Sequence, residues 1–131
     1  MFLNKLDREE QITFLKLAHY IARIDGDFST NEKNVIQTYC LEMQIEDIVY
    51  NEKDIHLDVL LSNIKSTKNQ KIVLLEIMAL IYSDGLHQQE QEILNIILDK
   101  YHISSELALL YAEWTKTILS IVKQGQILIE I

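Results

Sequence analysis

Carboxylate side chains cluster at two places where an apolar helical pattern runs into the dipeptide Asp-Gly, and in both a glutamate opens the next helix. The carboxylates are Asp25, Asp27 and Glu32 at the first place, and Asp84 and Glu90 at the second. Calcium and magnesium ions bind several hard oxygen ligands at short range. These five residues are therefore candidate ligands of a divalent cation such as Ca²⁺ or Mg²⁺.

Neither loop has the ligand spacing of an EF-hand. Counted from Asp25, the sixth residue is Thr30, where an EF-hand has glycine, and the twelfth is Ile36, where it has glutamate. The second loop departs at the same two places, so a cation would occupy a site shared between the loops. The alternative interpretation is structural. Each aspartate would accept hydrogen bonds from the amides that open the next helix, a contact worth about 1 kcal/mol.

Other residues that often do chemistry lack partners at a suitable spacing. The four histidines are scattered, and neither an H-E-x-x-H motif nor a second cysteine accompanies them. Asp99 and His102 have the spacing of carboxylate-bridged iron ligands, but such a site needs two such pairs, and a helix end explains them better. The nucleophile elbow and the phosphate-binding glycine loop are both missing. The sequence therefore predicts a protein that is not an enzyme and has no zinc site.

Helices are predicted to position the two loops. Apolar spacing indicates helices over residues 8–24, 30–43, 57–64, 67–83 and 88–101, and a last helix from Ser104 or Ser105 to about residue 123. Gly26 suits a left-handed helix end. Ser29 and Glu32 have capping-box spacing, and Ser66 is a candidate cap. The helix over 67–83 is apolar almost all round and should be central, while the tail, 126–131, is expected to dock on the body.

The two loop regions form an internal repeat. When the Asp-Gly pairs are superimposed, the following helices match apolar residue on apolar residue, although the second loop is one residue shorter. The matched pairs are Val35 with Ile93, Ile36 with Leu94, Tyr39 with Ile97, Cys40 with Leu98, Met43 with Tyr101, and Ile45 with Ile103. This predicts two pseudo-symmetric helical hairpins in an all-α bundle.

Composition narrows the possible fold class, binding partners and cellular location. The 131 residues contain no proline and three glycines and carry a net charge of −8, so one helical domain over residues 1–131 is predicted. The basic run Lys65, Lys68 and Lys71 is interpreted as a solvated helix end, which disfavours nucleic acid as a partner. Cys40 is expected to be a buried thiol. Since neither a signal peptide nor a stretch of ~18 apolar residues is present, a cytoplasmic protein without membrane insertion is expected.

The repeated pattern of helix, Asp-Gly, polar residues and helix-opening glutamate resembles the TerB-like family over about residues 8 to 122. That family includes tellurite-resistance proteins and the amino-terminal domain of a DnaJ-like membrane co-chaperone. The resemblance implies a compact bundle of about six to seven helices. In that family the acidic loops are thought to share one face, where metal ions or partner proteins are proposed to bind. If the acidic residues of the family are matched to this sequence, that face would hold Asp25, Asp27, Glu32, Asp84 and Glu90.

Two functional hypotheses follow. The first is a non-enzymatic cytoplasmic interaction module that binds a protein partner through the acidic face around the two loops. The alternative is a divalent-cation-binding stress-response protein connected with tellurite or another oxyanion, which the resemblance alone suggests. Neither the partner nor the oligomeric state is indicated by the residues.

Overall fold

The computed structural model describes residues 1–83 and 88–131, and this part of the chain consists of helices and the loops between them, with no strand. Six α-helices and two short 3₁₀ helices, at Leu3–Lys5 and Glu52–Asp54, make up the described fold. The α-helices are α1 (Arg8–Arg23), α2 (Thr30–Met43), α3 (Leu57–Ser62), α4 (Thr67–Tyr82), α5 (Gln88–Lys100) and α6 (Ser105–Glu130). The predicted all-α class is therefore confirmed for the described residues.

The predicted helix starts have the expected caps. Ser29 Oγ accepts from the Glu32 amide at 3.1 Å, and Glu32 Oε1 accepts from the Ser29 amide at 3.1 Å, which forms the predicted capping box. Ser66 and Ser104 cap α4 and α6 through their hydroxyl oxygens. Since each cap satisfies an amide that has no partner within its own helix, the caps fix where these helices begin.

Helix α4 lies at the centre, as its apolar composition predicts. It contacts α1, α2, α6 and the amino-terminal 3₁₀ helix, and eight of its residues are buried. One of those eight is Glu76, only 6% exposed, whose partners are described with the groove below. The core between α1 and α4 is closed by fully buried side chains such as Phe14, Leu74 and Ile77.

The matched positions of α2 and α5 share their environments. Ile36 and Leu94 are both buried, and so are Tyr39 and Ile97. Both segments also end in a left-handed residue, Gln44 and His102, each with φ of 55°. His102 donates its backbone N–H to the Asp99 carbonyl at 3.2 Å, so the interpretation of this pair as a helix end is confirmed. The rotational relation between whole hairpins stays a prediction.

The carboxyl-terminal tail does not dock on the body, so that prediction was wrong. Residues 126–130 continue α6, which runs without interruption to Glu130. Ile127, Leu128, Ile129 and Ile131 are between 53% and 95% exposed. The reason is the length of α6. It has 26 residues, roughly 39 Å at 1.5 Å per residue, and extends past the end of the 16-residue α4 on which it packs.

Candidate functional site

The first Asp-Gly loop is a tight turn that the side chain of Asp25 stabilises. Asp25 Oδ1 accepts from the Asp27 amide at 3.0 Å. Gly26 has φ of 81°, the left-handed conformation predicted for a glycine that follows a helix. Asp27 is exposed and Asp25 half-buried. Through this bond the aspartate shapes the turn between α1 and α2. The Asp27 amide precedes α2, whose cap is Ser29, so this bond is not the contact with helix-opening amides that the structural interpretation predicts.

The glutamates of the two loops are buried. Glu32 is 3% exposed and belongs to the α2 capping box, and Glu90, in the first turn of α5, is 1% exposed. Asp84 lies outside the described residues. Among residues 1–83 and 88–131, no three His, Cys, Asp or Glu side chains lie close enough together to hold a metal ion. The predicted cation site is therefore not supported by the part of the chain that the structure describes.

Beside the first loop, side chains of α1 contact residues 47–50, which lie in the connection between α2 and α3. His19, buried on α1, has its Nε2 2.8 Å from Asp47 Oδ1, and its ring stacks on Tyr50 with centroids 5.7 Å apart. The Arg23 guanidinium carbon lies 4.4 Å from the Phe28 ring centre and 4.8 Å from that of Tyr50. These contacts anchor residues 47–50 and the α1–α2 loop to one another. Between them is a cavity of about 420 Å³.

A second concave surface lies between the amino-terminal segment, α4 and α6; we call it the lysine-rimmed groove. Its two adjoining cavities measure about 530 and 500 Å³. Apolar side chains line the groove: Phe2, Ile72, Leu75, Leu110, Tyr111 and Trp114. The rim is Lys5, Lys68 and Lys71, none of which has a salt-bridge partner within the described residues. The groove is thus apolar inside and positive at its edge, on a chain of net charge −8.

Two glutamates position the amino-terminal wall of the groove. The amino group of Met1 lies 2.6 Å from Glu42 Oε1 and 2.9 Å from Glu76 Oε1. The Phe2 amide donates to Glu76 Oε1 at 3.0 Å, and the Leu3 amide donates to Glu42 Oε2 at 3.3 Å. These bonds hold the first residues across α2 and α4. Phe2 consequently lies against the groove while Leu3 is fully buried.

Aromatic side chains form the wall on α6. The Trp114 and Phe2 ring centres are 6.2 Å apart at an angle of 40°. Tyr111 is half-buried, and burial raises the pKa of its hydroxyl. Trp114 remains 41% exposed and Leu110 66% exposed. Since large aromatic residues dominate the energetics of protein interfaces, this wall is suited to hold an apolar side chain of a partner.

Sequence reasoning missed this groove. The sequence pattern of Lys68 and Lys71 is that of a solvated helix end and gives no sign of a groove beside them. The signal that could have found the groove is Glu76, the single carboxylate in the otherwise apolar run over residues 72–82 of α4, because a buried charge requires a partner. That partner, the amino group of Met1, belongs to a segment with too few residues to show a helical period.

Comparison of the chain with protein-family models, with curated proteins and with solved structures found no match. Separately, none of the described helices is both long enough and apolar enough to cross a membrane.

Proposed function

We propose that this chain is a non-enzymatic binding module of the TerB-like type whose lysine-rimmed groove takes an apolar helix with acidic flanks from a partner protein. The observation that carries the proposal is the pairing of an apolar lining with three lysines, Lys5, Lys68 and Lys71, on an acidic protein. An amphipathic helix in an apolar groove is a common mode of peptide recognition.

Charge gives the groove its selectivity. An exposed ion pair contributes about 0.2–1 kcal/mol, so three lysines together favour an acidic over a neutral helix by roughly 0.6–3 kcal/mol. A basic helix meets like charges at the same rim. Its binding is weakened further.

The test uses two synthetic helices of about 15 residues, near the length at which isolated helices become stable. Both carry leucine at helical spacing on one face, one with glutamate and the other with lysine on the opposite face, and neither contains tryptophan. Trp114, the single tryptophan, reports binding because its emission shifts to the blue when it is covered. We expect the glutamate helix to bind at least about tenfold more tightly, which is about 1.4 kcal/mol. Equal binding of the two, or an unchanged Trp114 emission, would contradict the proposal.

The acidic loop between α1 and α2 is a second candidate surface for a protein partner. It is favoured by the 420 Å³ cavity beside it, which is lined by Tyr20, Arg23 and Gly26 among others. Reversal of the exposed Asp27 to Lys would then abolish capture of a partner from lysate. Charge reversal at Lys68 would leave that capture unchanged. If the groove is the binding surface instead, charge reversal at Lys68 abolishes capture and Asp27→Lys leaves it unchanged.

The divalent-cation alternative, with its link to tellurite resistance, is distinguished by thermal unfolding. A ligand at about 100 times its dissociation constant stabilises a protein by roughly 2.7 kcal/mol. A cation site would show as a midpoint that rises with Ca²⁺, Mg²⁺, Mn²⁺ or Zn²⁺ relative to EDTA, and that loses this response in Asp25→Asn with Asp84→Asn. If the aspartates only shape turns, the ions have no effect and the double variant itself melts lower.

A further inference from the structure

The distal part of α6 presents apolar residues that the rest of the described structure leaves more than half exposed. We call residues 116–131 the arm. Ile121 and Val122 are each 54% exposed, Leu128 is 70% exposed and Ile129 is 86% exposed. Apolar patches of this extent on a soluble protein mark interaction sites. Helix stability in proteins comes mainly from the packing of an apolar face, so a helical arm implies a surface that packs on it.

The apolar residues of α6 follow a seven-residue repeat. Trp114, Ile121 and Leu128 recur every seven residues, and Tyr111, Ile118 and Gly125 lie three residues before each of them. Alternating spacings of three and four residues are the pattern of helices that pack side by side as a coiled coil. We call these six residues the seam. It begins at the aromatic wall of the lysine-rimmed groove and continues along the arm.

We propose that the seam binds the seam of a second copy of this chain, in antiparallel orientation, so that residues 126–131 of each copy lie in the groove of the other. This rests on the proposed function, because it names the helix that the groove takes. An antiparallel pair has twofold symmetry, in which each contact is made twice. One register matches the whole seam: Ile118 faces Ile121, Tyr111 faces Leu128, and Trp114 faces Gly125 of the second copy.

Gly125 supports this register. Glycine weakens a helix interior, and Gly125 lies within α6 with no described atom, apart from its neighbours on the helix, within 4 Å of the position that a Cβ would occupy. Opposite Trp114 of a second copy, the missing side chain leaves room for the indole. The register also carries residues 126–131 onto the groove of the second copy. The single charge of that segment, Glu130, has the sign that the lysine rim attracts.

The charges on the rest of the chain favour the antiparallel orientation. Lys116, Lys123 and Glu130 give the arm a charge of +1. Because the whole chain has a net charge of −8, the residues outside the arm carry a net charge of −9. Parallel arms would place two strongly acidic bodies side by side, whereas antiparallel arms place them at opposite ends of the pair. A membrane surface is a poorer occupant, because helices that bind anionic lipids have a basic polar face.

The apolar area available is that of a stable dimer. Eight large side chains of α6 lie along or beside the seam, namely Leu110, Tyr111, Trp114, Ile118, Ile121, Val122, Leu128 and Ile129. At roughly 60–120 Å² of apolar surface for each, they cover on the order of 500–1,000 Å². Standard protein interfaces bury about 800 Å² on each partner.

The test is sedimentation velocity on the full chain from about 1 to 100 µM, a range chosen to bracket micromolar affinity. We expect a dimer, and we expect monomers for Ile121→Lys and Leu128→Lys. Leu109→Lys is the matched control, because Leu109 is 65% exposed on the same helix and lies outside the seam. Circular dichroism checks that each variant is helical. If Ile121→Lys does not fold, Leu128→Lys still tests the proposal, because Leu128 is 70% exposed near the end of the arm.

Cysteine cross-linking in a Cys40→Ser background tests the register. Mixing Ile118→Cys chains with Ile121→Cys chains should give the disulfide between the two. Gly125→Cys alone should give none, because the two Gly125 positions lie 11 residues apart along the pair, about 16 Å. A parallel pair would cross-link Gly125→Cys efficiently and would overturn the proposal. So would a monomeric wild type at 100 µM, and if such a monomer still binds the glutamate helix, the proposed function stands without this inference.

Discussion

Glu76 Oε1 lies 2.9 Å from the amino nitrogen of Met1, although 74 residues separate the two in the chain. The same oxygen accepts the Phe2 amide, and the Tyr39 hydroxyl donates to the Glu76 carbonyl. One residue of the central helix therefore anchors the amino terminus and α2 together. Because Phe2 is a wall of the groove, this anchor links the stability of the fold to the shape of the site.

The first prediction concerns the pH dependence of this anchor. Burial alone lowers the pKa of the Met1 ammonium, but the hydrogen bonds and charges of Glu42 and Glu76 outweigh it, so the pKa is raised above 8.0. A raised pKa contributes stability that is fully present below the unfolded value and is lost as the pH rises through the folded value. We expect the free energy of unfolding to fall between about pH 7 and pH 9.5, below the range in which tyrosines titrate.

Urea unfolding across that range measures the effect. Chains acetylated at the amino terminus are the control, and their stability should change less with pH. Glu76→Gln should lose roughly 1–3 kcal/mol at pH 7, because hydrogen bonds to a charged partner are replaced by weaker ones. An identical pH profile for the acetylated and free chains would show that the ion pair does not contribute.

The second prediction concerns Thr115, whose buried Oγ1 has no hydrogen-bond partner within the described residues. An unsatisfied buried hydroxyl costs roughly 1–3 kcal/mol. Thr115→Val removes the hydroxyl at nearly constant shape, so the melting midpoint should rise by several degrees. Thr117→Val is the matched control, because the Thr117 hydroxyl is exposed and donates to the Glu113 carbonyl at 2.8 Å. A lower midpoint for Thr115→Val than for the wild type would mean that this hydroxyl does have a partner.

The third prediction concerns the reactivity of Cys40. Burial and the nearby Asp47 carboxylate raise the pKa of its thiol from 9.0 to about 11. Since the thiolate is the reactive form, modification near pH 8 should be about 100-fold slower in the folded than in the unfolded chain. Asp47→Asn removes the charge and should speed the reaction. Equal rates in the folded and unfolded chains would be incompatible with the raised pKa.

The fourth prediction compares the same substitution at two glycines. Gly26 has φ of 81°, so Gly26→Ala should cost about 1–2 kcal/mol from backbone strain. Gly125 lies in α6, and Gly125→Ala should stabilise the helix by about 0.5–1 kcal/mol. Both substitutions are made in Leu128→Lys, which we expect to be monomeric, because Gly125 faces Trp114 of the second copy in the proposed dimer. Within one copy, neither new Cβ meets a described atom within 4 Å beyond its chain neighbours. Effects of the same sign at both positions, measured by urea unfolding, would contradict the assigned conformations.

The helices and their ends were predictable because local sequence determines them. The apolar period placed α1 and α2 within one residue at each end, and the Ser29–Glu32 capping box forms as its spacing predicts. The groove was not predictable, since Glu76 meets Met1 through a contact between distant parts of the chain. The prediction that the tail, 126–131, docks on the body rests on the premise that its isoleucines need burial within one chain. A helix can instead present such residues to a partner.

The most direct test of the groove is a charge exchange between the protein and its ligand. Lys68→Glu with Lys71→Glu should reverse the preference between the two synthetic helices, so that the lysine helix binds more tightly than the glutamate helix. Lys16→Glu with Lys53→Glu makes the same change in net charge at exposed residues outside the groove, and it should leave the original preference intact. We expect this reversal in titrations followed by Trp114 emission. If both double variants change the preference equally, binding depends on net charge alone, and the lysine-rimmed groove is not the site.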